Sequence, residues 1–178
     1  GQTFGWQATF LIVALLGLIA LIGSAILVPS NLKQPPAAKI SAQLKVLTQP
    51  RLLLVYAITA LGYGGTFTAF TFLAPILENV SGFDSSSISL IMLVYGVSVA
   101  VGNIWGGKMA DKMGPIKALT VIFSGLAAVL VVFNFTAVNP YAAVATILVW
   151  GAFAFGNVPG LQVYVVKLAE KYTPDAVD

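Results

Sequence analysis

The chain has 178 residues, of which 58% are hydrophobic and only 8% charged, whereas a soluble domain carries about 25% charged residues; lipid is therefore the solvent implied for most of it. It contains no Cys and no His, which excludes a disulfide framework, the commonest metal-ligand sets and the usual nucleophile–base pairs, so no metal and no cofactor are expected. The net charge of +3 does not point to nucleic acid, because the cations are scattered between apolar runs rather than gathered on one face.

Five apolar runs are long enough to cross a bilayer, which takes about 20 residues at 1.5 Å rise each. The first, Ala8–Val28, is entered at Gly5-Trp6 and ends at Pro29. It does not read as a signal peptide, since the apolar stretch is too long and no basic residue precedes it. Ser30–Pro50 follows, with Pro35-Pro36 and three lysines, and reads as a linker between two helical bundles. The second run, Leu52–Leu77, is bracketed by Arg51 and Glu78. On a helix, Tyr56, Tyr63, Phe67 and Phe70 fall within about 60° of one another, with Thr59 and Thr66 alongside. Gly62, Gly65 and Ala69 fall on the opposite side, where small residues permit close helix contact. The aromatic and hydroxyl face fits two readings, a cavity wall or packing against lipid and neighbouring helices.

The third run, Ser85–Gly107, carries Tyr95 and Asn103 and leads into a charged stretch, Gly107-Lys108-Met109-Ala110-Asp111-Lys112-Met113-Gly114-Pro115-Ile116-Lys117. Gly106 and Gly107 let this helix approach a neighbour. Asp111 is predicted in a short turn, where its carboxylate can sit at a helix N-terminus or pair with a cation, and Gly114-Pro115 enforces the reversal. By composition alone this is a basic turn between two spans. Residues 118–166 are uncharged and too long for one span. Asn139-Pro140 reads as a turn dividing them into Ala118–Val138 and Pro140–Val166. The last span carries Trp150, Phe153 and Asn157 at i, i+3 and i+7, with Gln162 beyond. A buried amide needs a partner, so Asn157 is expected to face protein or water, either joining helices or contacting a solute. Asn103 and Tyr95 admit the same two readings. Gly156 and Pro159 are expected to mark a kink.

Alternate crossing places Lys33, Lys39, Lys45, Arg51, Lys108, Lys112, Lys117, Lys167 and Lys171 on one side. The other side receives only Glu78, Asp84 and the Asn139-Pro140 turn. The positive-inside rule makes the basic side cytoplasmic, with residue 1 outside and residue 178 inside a cell membrane. No Asp, Glu, Lys or Arg lies within any of the five runs, so no proton-coupling group is visible.

The spacing Gly107-x-x-x-Asp111-Lys112-x-Gly114-x-x-Lys117 resembles the signature loop of the major facilitator superfamily. The opening Phe4–Phe10 resembles the start of the sixth helix in its drug/proton antiporter branch, with Gln7 where that branch commonly has Arg. Phe72–Leu77 with Gly82-Phe83, Val101-Gly102-Asn103, and Trp150-Gly151 through Pro159-Gly160-Leu161-Gln162 resemble the ends of the seventh and eighth helices and the tenth, as in sugar and purine efflux proteins. The resemblance implies an all-α membrane fold in which this chain supplies helices six to ten of twelve. Residues 1–29 would be the last helix of the amino-terminal bundle, residues 30–50 the central loop, and residues 51–178 the first four helices of the carboxy-terminal bundle. It also implies alternating access, with Asp111 anchoring a cytoplasmic latch and Lys112 and Lys117 as pairing cations. The helix that Asp111 should contact, and the proton-coupling acid, would lie in the remainder of the transporter chain. The implied partners are the lipid bilayer, a small organic solute and protons, and the implied activity is efflux by antiport. Uptake by symport, a membrane scaffold and an intramembrane enzyme are the competing readings, the last lacking any paired acid or His.

Overall fold

In a computed structural model, residues 5–29, 44 and 48–172 are described; Lys33, Lys39, Lys45 and most of the expected linker lie outside them. The described residues form α1 (Gly5–Leu27), α2 (Pro50–Thr71), α3 (Leu73–Asn79), α4 (Ser85–Met113), α5 (Pro115–Thr136) and α6 (Pro140–Tyr172). Five helical stretches are long and apolar enough to cross a membrane, α2 and α3 together making the second. The chain divides into two compact units, residues 1–37 and 38–178. In the first, α1 is apolar on all sides, as befits a helix whose solvent is lipid.

The second unit is organised around α6, which packs against α2, α4 and α5. The tightest contact is its crossing with α4. A Cβ added to Gly102 would lie 2.1 Å from the Ala152 carbonyl oxygen, and one added to Gly106 would lie 1.9 Å from that of Gly156. Gly102-x-x-x-Gly106 on α4 thus meets Ala152-x-x-x-Gly156 on α6, backbone against backbone, the arrangement that small residues make possible in lipid. Toward one end of the unit, Trp150, Tyr95, Phe133, Leu73 and Leu77 form one apolar core; toward the other, Leu52, Val55, Leu119, Leu161 and Leu168 form a second.

The helix ends have identifiable causes. Asp84 caps α4, accepting from the backbone N–H of Ser86 at 3.1 Å and of Ser87 at 3.3 Å and from both serine hydroxyls. The Ser86 hydroxyl first, then that of Ser87, hold its carboxyl below the usual carboxylate range. Asn139 Oδ1 accepts from the Ala142 N–H at 3.1 Å ahead of Pro140, so the expected Asn-Pro turn is a helix start. The Ser81 hydroxyl donates to the Ala137 carbonyl at 2.6 Å, joining two loops, and the Thr136 and Thr146 hydroxyls meet at 2.9 Å between α5 and α6.

Three expectations need correction. The second span is broken at Phe72 rather than continuous, because Pro75 has no N–H for the Thr71 carbonyl four residues earlier and its ring crowds that oxygen. Gly65 contacts no helix: nothing lies within 4 Å of its added Cβ, and it faces an open groove of about 700 Å³ floored by Phe133 and Trp150. Gly62 does face a neighbour: a Cβ added there would lie 2.9 Å from the Phe123 ring. Helix α6 runs unbroken through Pro159, and Gly156 lies in the α4 contact. Asp111 is not in a turn. Helix α4 runs on to Met113 and reverses only at Gly114, whose φ of +84° suits glycine.

Candidate functional site

The aromatic face of α2 meets α6 and α4 along two adjoining grooves. Tyr56, Thr59 and Tyr63 of α2 line the first, about 440 Å³, with Leu161, Gln162 and Val165 of α6. Thr66, Phe67 and Phe70 of α2 line the second, about 330 Å³, with Tyr95 and Val99 of α4 and Phe155 of α6. A ring cluster separates the two. Tyr63 and Phe67 stack with centroids 6.2 Å apart, and Phe155 meets them edge-on at 6.1 Å and 6.2 Å. All six α2 residues picked out by helical spacing therefore line one continuous strip. Phe67 is 51% exposed, leaving a large ring uncovered at the centre of that strip.

Tyr95 sits behind the second groove in a file of rings. Its centroid is 5.3 Å from that of Phe70 and 5.6 Å from that of Trp150, which lies 5.9 Å from Phe133. The Tyr95 hydroxyl, Trp150 Nε1 and Asn157 Oδ1 are buried without a hydrogen-bond partner among the described residues. Leaving such a group unpaired costs about 1–3 kcal/mol. Asn157 Nδ2 donates to the Ala154 carbonyl of its own helix at 2.9 Å; among the described residues it bonds no other helix.

The remaining predicted residues scatter. Trp150, wholly buried, floors the groove on the far side of α2. Phe153 packs edge-on to Trp105 at 5.4 Å and covers Gly125, a packing role reached by the same spacing that selects Trp150 and Asn157. Asn103 is half-buried beside the α4–α6 crossing and lines neither groove. Phe155 was missed: it lies two residues from Phe153, hence on another face, and only its contact with Tyr63 and Phe67 reveals it.

The charged segment lies apart from the grooves. A Cβ on Gly107 would be 3.6 Å from the Pro159 side chain, an ordinary contact. Asp111 and Lys112 occupy the last turn of α4, and Lys117 the first turn of α5, all exposed. Asp111 thus sits at the negative end of its own helix dipole.

Five helical stretches of membrane length, with a strip of aromatic, hydroxyl and amide groups along one side, define a multi-pass membrane protein. Residues 1–176 match the Major Facilitator Superfamily. The chain is 49% identical over 178 residues to the uncharacterised MFS-type transporter YtbD of Bacillus subtilis (strain 168), covering 100% of this chain and 45% of that protein. It is 30% identical over 175 residues to the inner membrane transport protein YdhP of Escherichia coli (strain K12), covering 96% and 43%. It is 29% identical over 178 residues to a probable sugar efflux transporter of Pasteurella multocida (strain Pm70), covering 100% and 43%. No solved structure matches. The chain belongs to the major facilitator superfamily, a family of transporters and not of enzymes, and it spans less than half the length of these relatives.

Proposed function

We propose that the protein is a secondary active transporter exporting a small organic solute by proton antiport, and that the α2–α6 strip lines its solute pathway. The observation carrying this reading is the Tyr63–Phe67–Phe155 cluster between two grooves, with Phe67 exposed at its centre. Its rings offer apolar platforms, while Tyr56, Thr59 and Gln162 beside the first groove offer hydrogen-bonding groups, the mixture typical of small-molecule sites. The export direction is supported by the relative named as a probable sugar efflux transporter.

In this reading the five spans are helices six to ten of twelve, with residues 1–29 closing the first bundle, residues 30–50 the cytoplasmic linker, and residues 51–178 opening the second bundle. Residue 1 is outside and residue 178 in the cytoplasm, supported by the one-sided distribution of cations. Asp111 acts as a latch, reaching from the exposed end of α4 toward a helix beyond residue 178, with Lys112 and Lys117 pairing across the bundle. The coupling acid lies outside residues 1–178.

Flux of the full-length protein in proteoliposomes tests this. An imposed pH gradient should drive a sugar-like solute against the proton flow, and residues 1–178 by themselves should give no saturable flux. Solute moving with the proton would establish symport instead, and gradient-independent behaviour with no flux would leave a scaffold.

A further inference from the structure

At the end of the bundle away from Asp84, two cations from different helices converge on one ring. The Arg51 guanidinium, at the start of α2, lies 5.2 Å from the centroid of Tyr172 and donates to its hydroxyl, and Lys171 Nζ lies 5.4 Å from the same centroid. Lys117 of α5 and Lys167 of α6 line the same cavity, about 510 Å³ in volume. No carboxylate lines it among the described residues; Glu170, on the same stretch of α6, does not reach it. Four like charges around one cavity repel one another unless an anion joins them.

The cavity does not end in a polar cup. Arg51, Ile116 and Tyr164 also line a second cavity of about 300 Å³, walled further along by Leu54, Ile58 and Phe123. A basic mouth therefore opens into an apolar trough between α2 and α5. A soluble anion has no use for the trough, and a zwitterionic lipid has no use for four cations. The site also lies at the ends of three membrane spans, the level of lipid headgroups.

We propose that these joined cavities hold one anionic phospholipid, its phosphate among Arg51, Lys117, Lys167 and Lys171 and an acyl chain along Leu54, Ile58 and Phe123. Basic pockets between helix ends recognise acidic headgroups in this way. The assignment is independent of the solute and of the direction of transport.

The test is native mass spectrometry of the full-length, delipidated transporter titrated with phosphatidylglycerol or with phosphatidylcholine of the same chains. Phosphatidylglycerol should bind at least about ten-fold more tightly. Lys167→Gln and Lys171→Gln should each weaken it about five-fold, while Lys171→Arg should retain it. Lys108→Gln removes a cation at the same end that lines neither cavity and should leave binding unchanged. Glycerol 3-phosphate should not displace the lipid at equal concentration. Equal binding of the two lipids, an equal loss in Lys108→Gln, or displacement by glycerol 3-phosphate would each overturn the lipid site.

Discussion

Helix α6 has two working sides that differ in how they are filled. Toward α4 it presents Ala152 and Gly156, and the two backbones touch. Toward α2 it presents Phe155, Leu161 and Gln162, and grooves remain open between the helices. In lipid there is little hydrophobic drive between helices, so close backbone approach is the principal way to fix a crossing. The glycine seam therefore makes α4 and α6 one rigid piece, whereas the α2 side is loosely filled. In the proposed reading, stability and solute contact fall to two different sides of one helix.

The comparison breaks most sharply at two glycines of α4. Gly102→Ala places a methyl 2.1 Å from the Ala152 oxygen and should destabilise the full-length protein by about 2–3 kcal/mol, as overpacking does. Gly96→Ala, six residues earlier on the second groove, meets nothing within 4 Å. It should raise stability by up to about 1 kcal/mol through helix propensity while slowing transport by narrowing the groove. Thermal unfolding in detergent and flux in proteoliposomes read both. Equal loss of stability in the two variants would erase the distinction between seam and groove.

Asp111 tests whether the seam transmits anything. It sits on the last turn of the rigid α4, so a contact made there would be felt along the α4–α6 pair. Asp111→Asn in the full-length protein should slow transport ten-fold or more, equivalent to about 1.4 kcal/mol, and favour the inward-open state. Its thermal stability should hold or rise by a few tenths of a kcal/mol, since the acid is at the unfavourable end of its helix dipole. Wild-type flux with unchanged cytoplasmic accessibility of groove cysteines would reduce the segment to a basic turn.

The spans and turns were legible because apolar length and Asn-Pro or Gly-Pro punctuation are local signals. Asp111 was misplaced because charge was read as loop, although Lys-Met-Ala-Asp-Lys-Met contains no helix breaker before Gly114. Likewise, Pro75 was recognised only as part of a resemblance, and its effect on the Thr71 carbonyl follows from spacing alone. Helical periodicity found the α2 strip, where one side is open. It failed on α6, which is packed from several directions at once, so that Trp150, Phe153 and Asn157 share a spacing but not a site.

Smaller effects sharpen the same contrast. A double-mutant cycle of Tyr63→Ala and Phe155→Ala should yield a coupling of about 0.5–1.5 kcal/mol from the edge-on rings, with flux falling more than stability. Asp84 is expected to act on the start of α4 alone. Its carboxyl titrates lower in the folded protein than when unfolded, so its contribution is complete above the unfolded value near about pH 4 and is lost as pH falls below it. The stability difference between wild type and Asp84→Ala should therefore shrink on acidification below pH of about 4 and stay constant above it.

The central claim, that the α2–α6 strip faces the solute pathway, is tested most directly by thiol accessibility. Single cysteines at Thr59, Phe67 and Gln162 in an otherwise cysteine-free full-length transporter should react with a small hydrophilic maleimide and be protected by transported solute. A cysteine at Val131, on the exposed apolar side of α5, should not react. Labelling at Val131 with none at the three strip positions would place the strip against lipid and contradict the account.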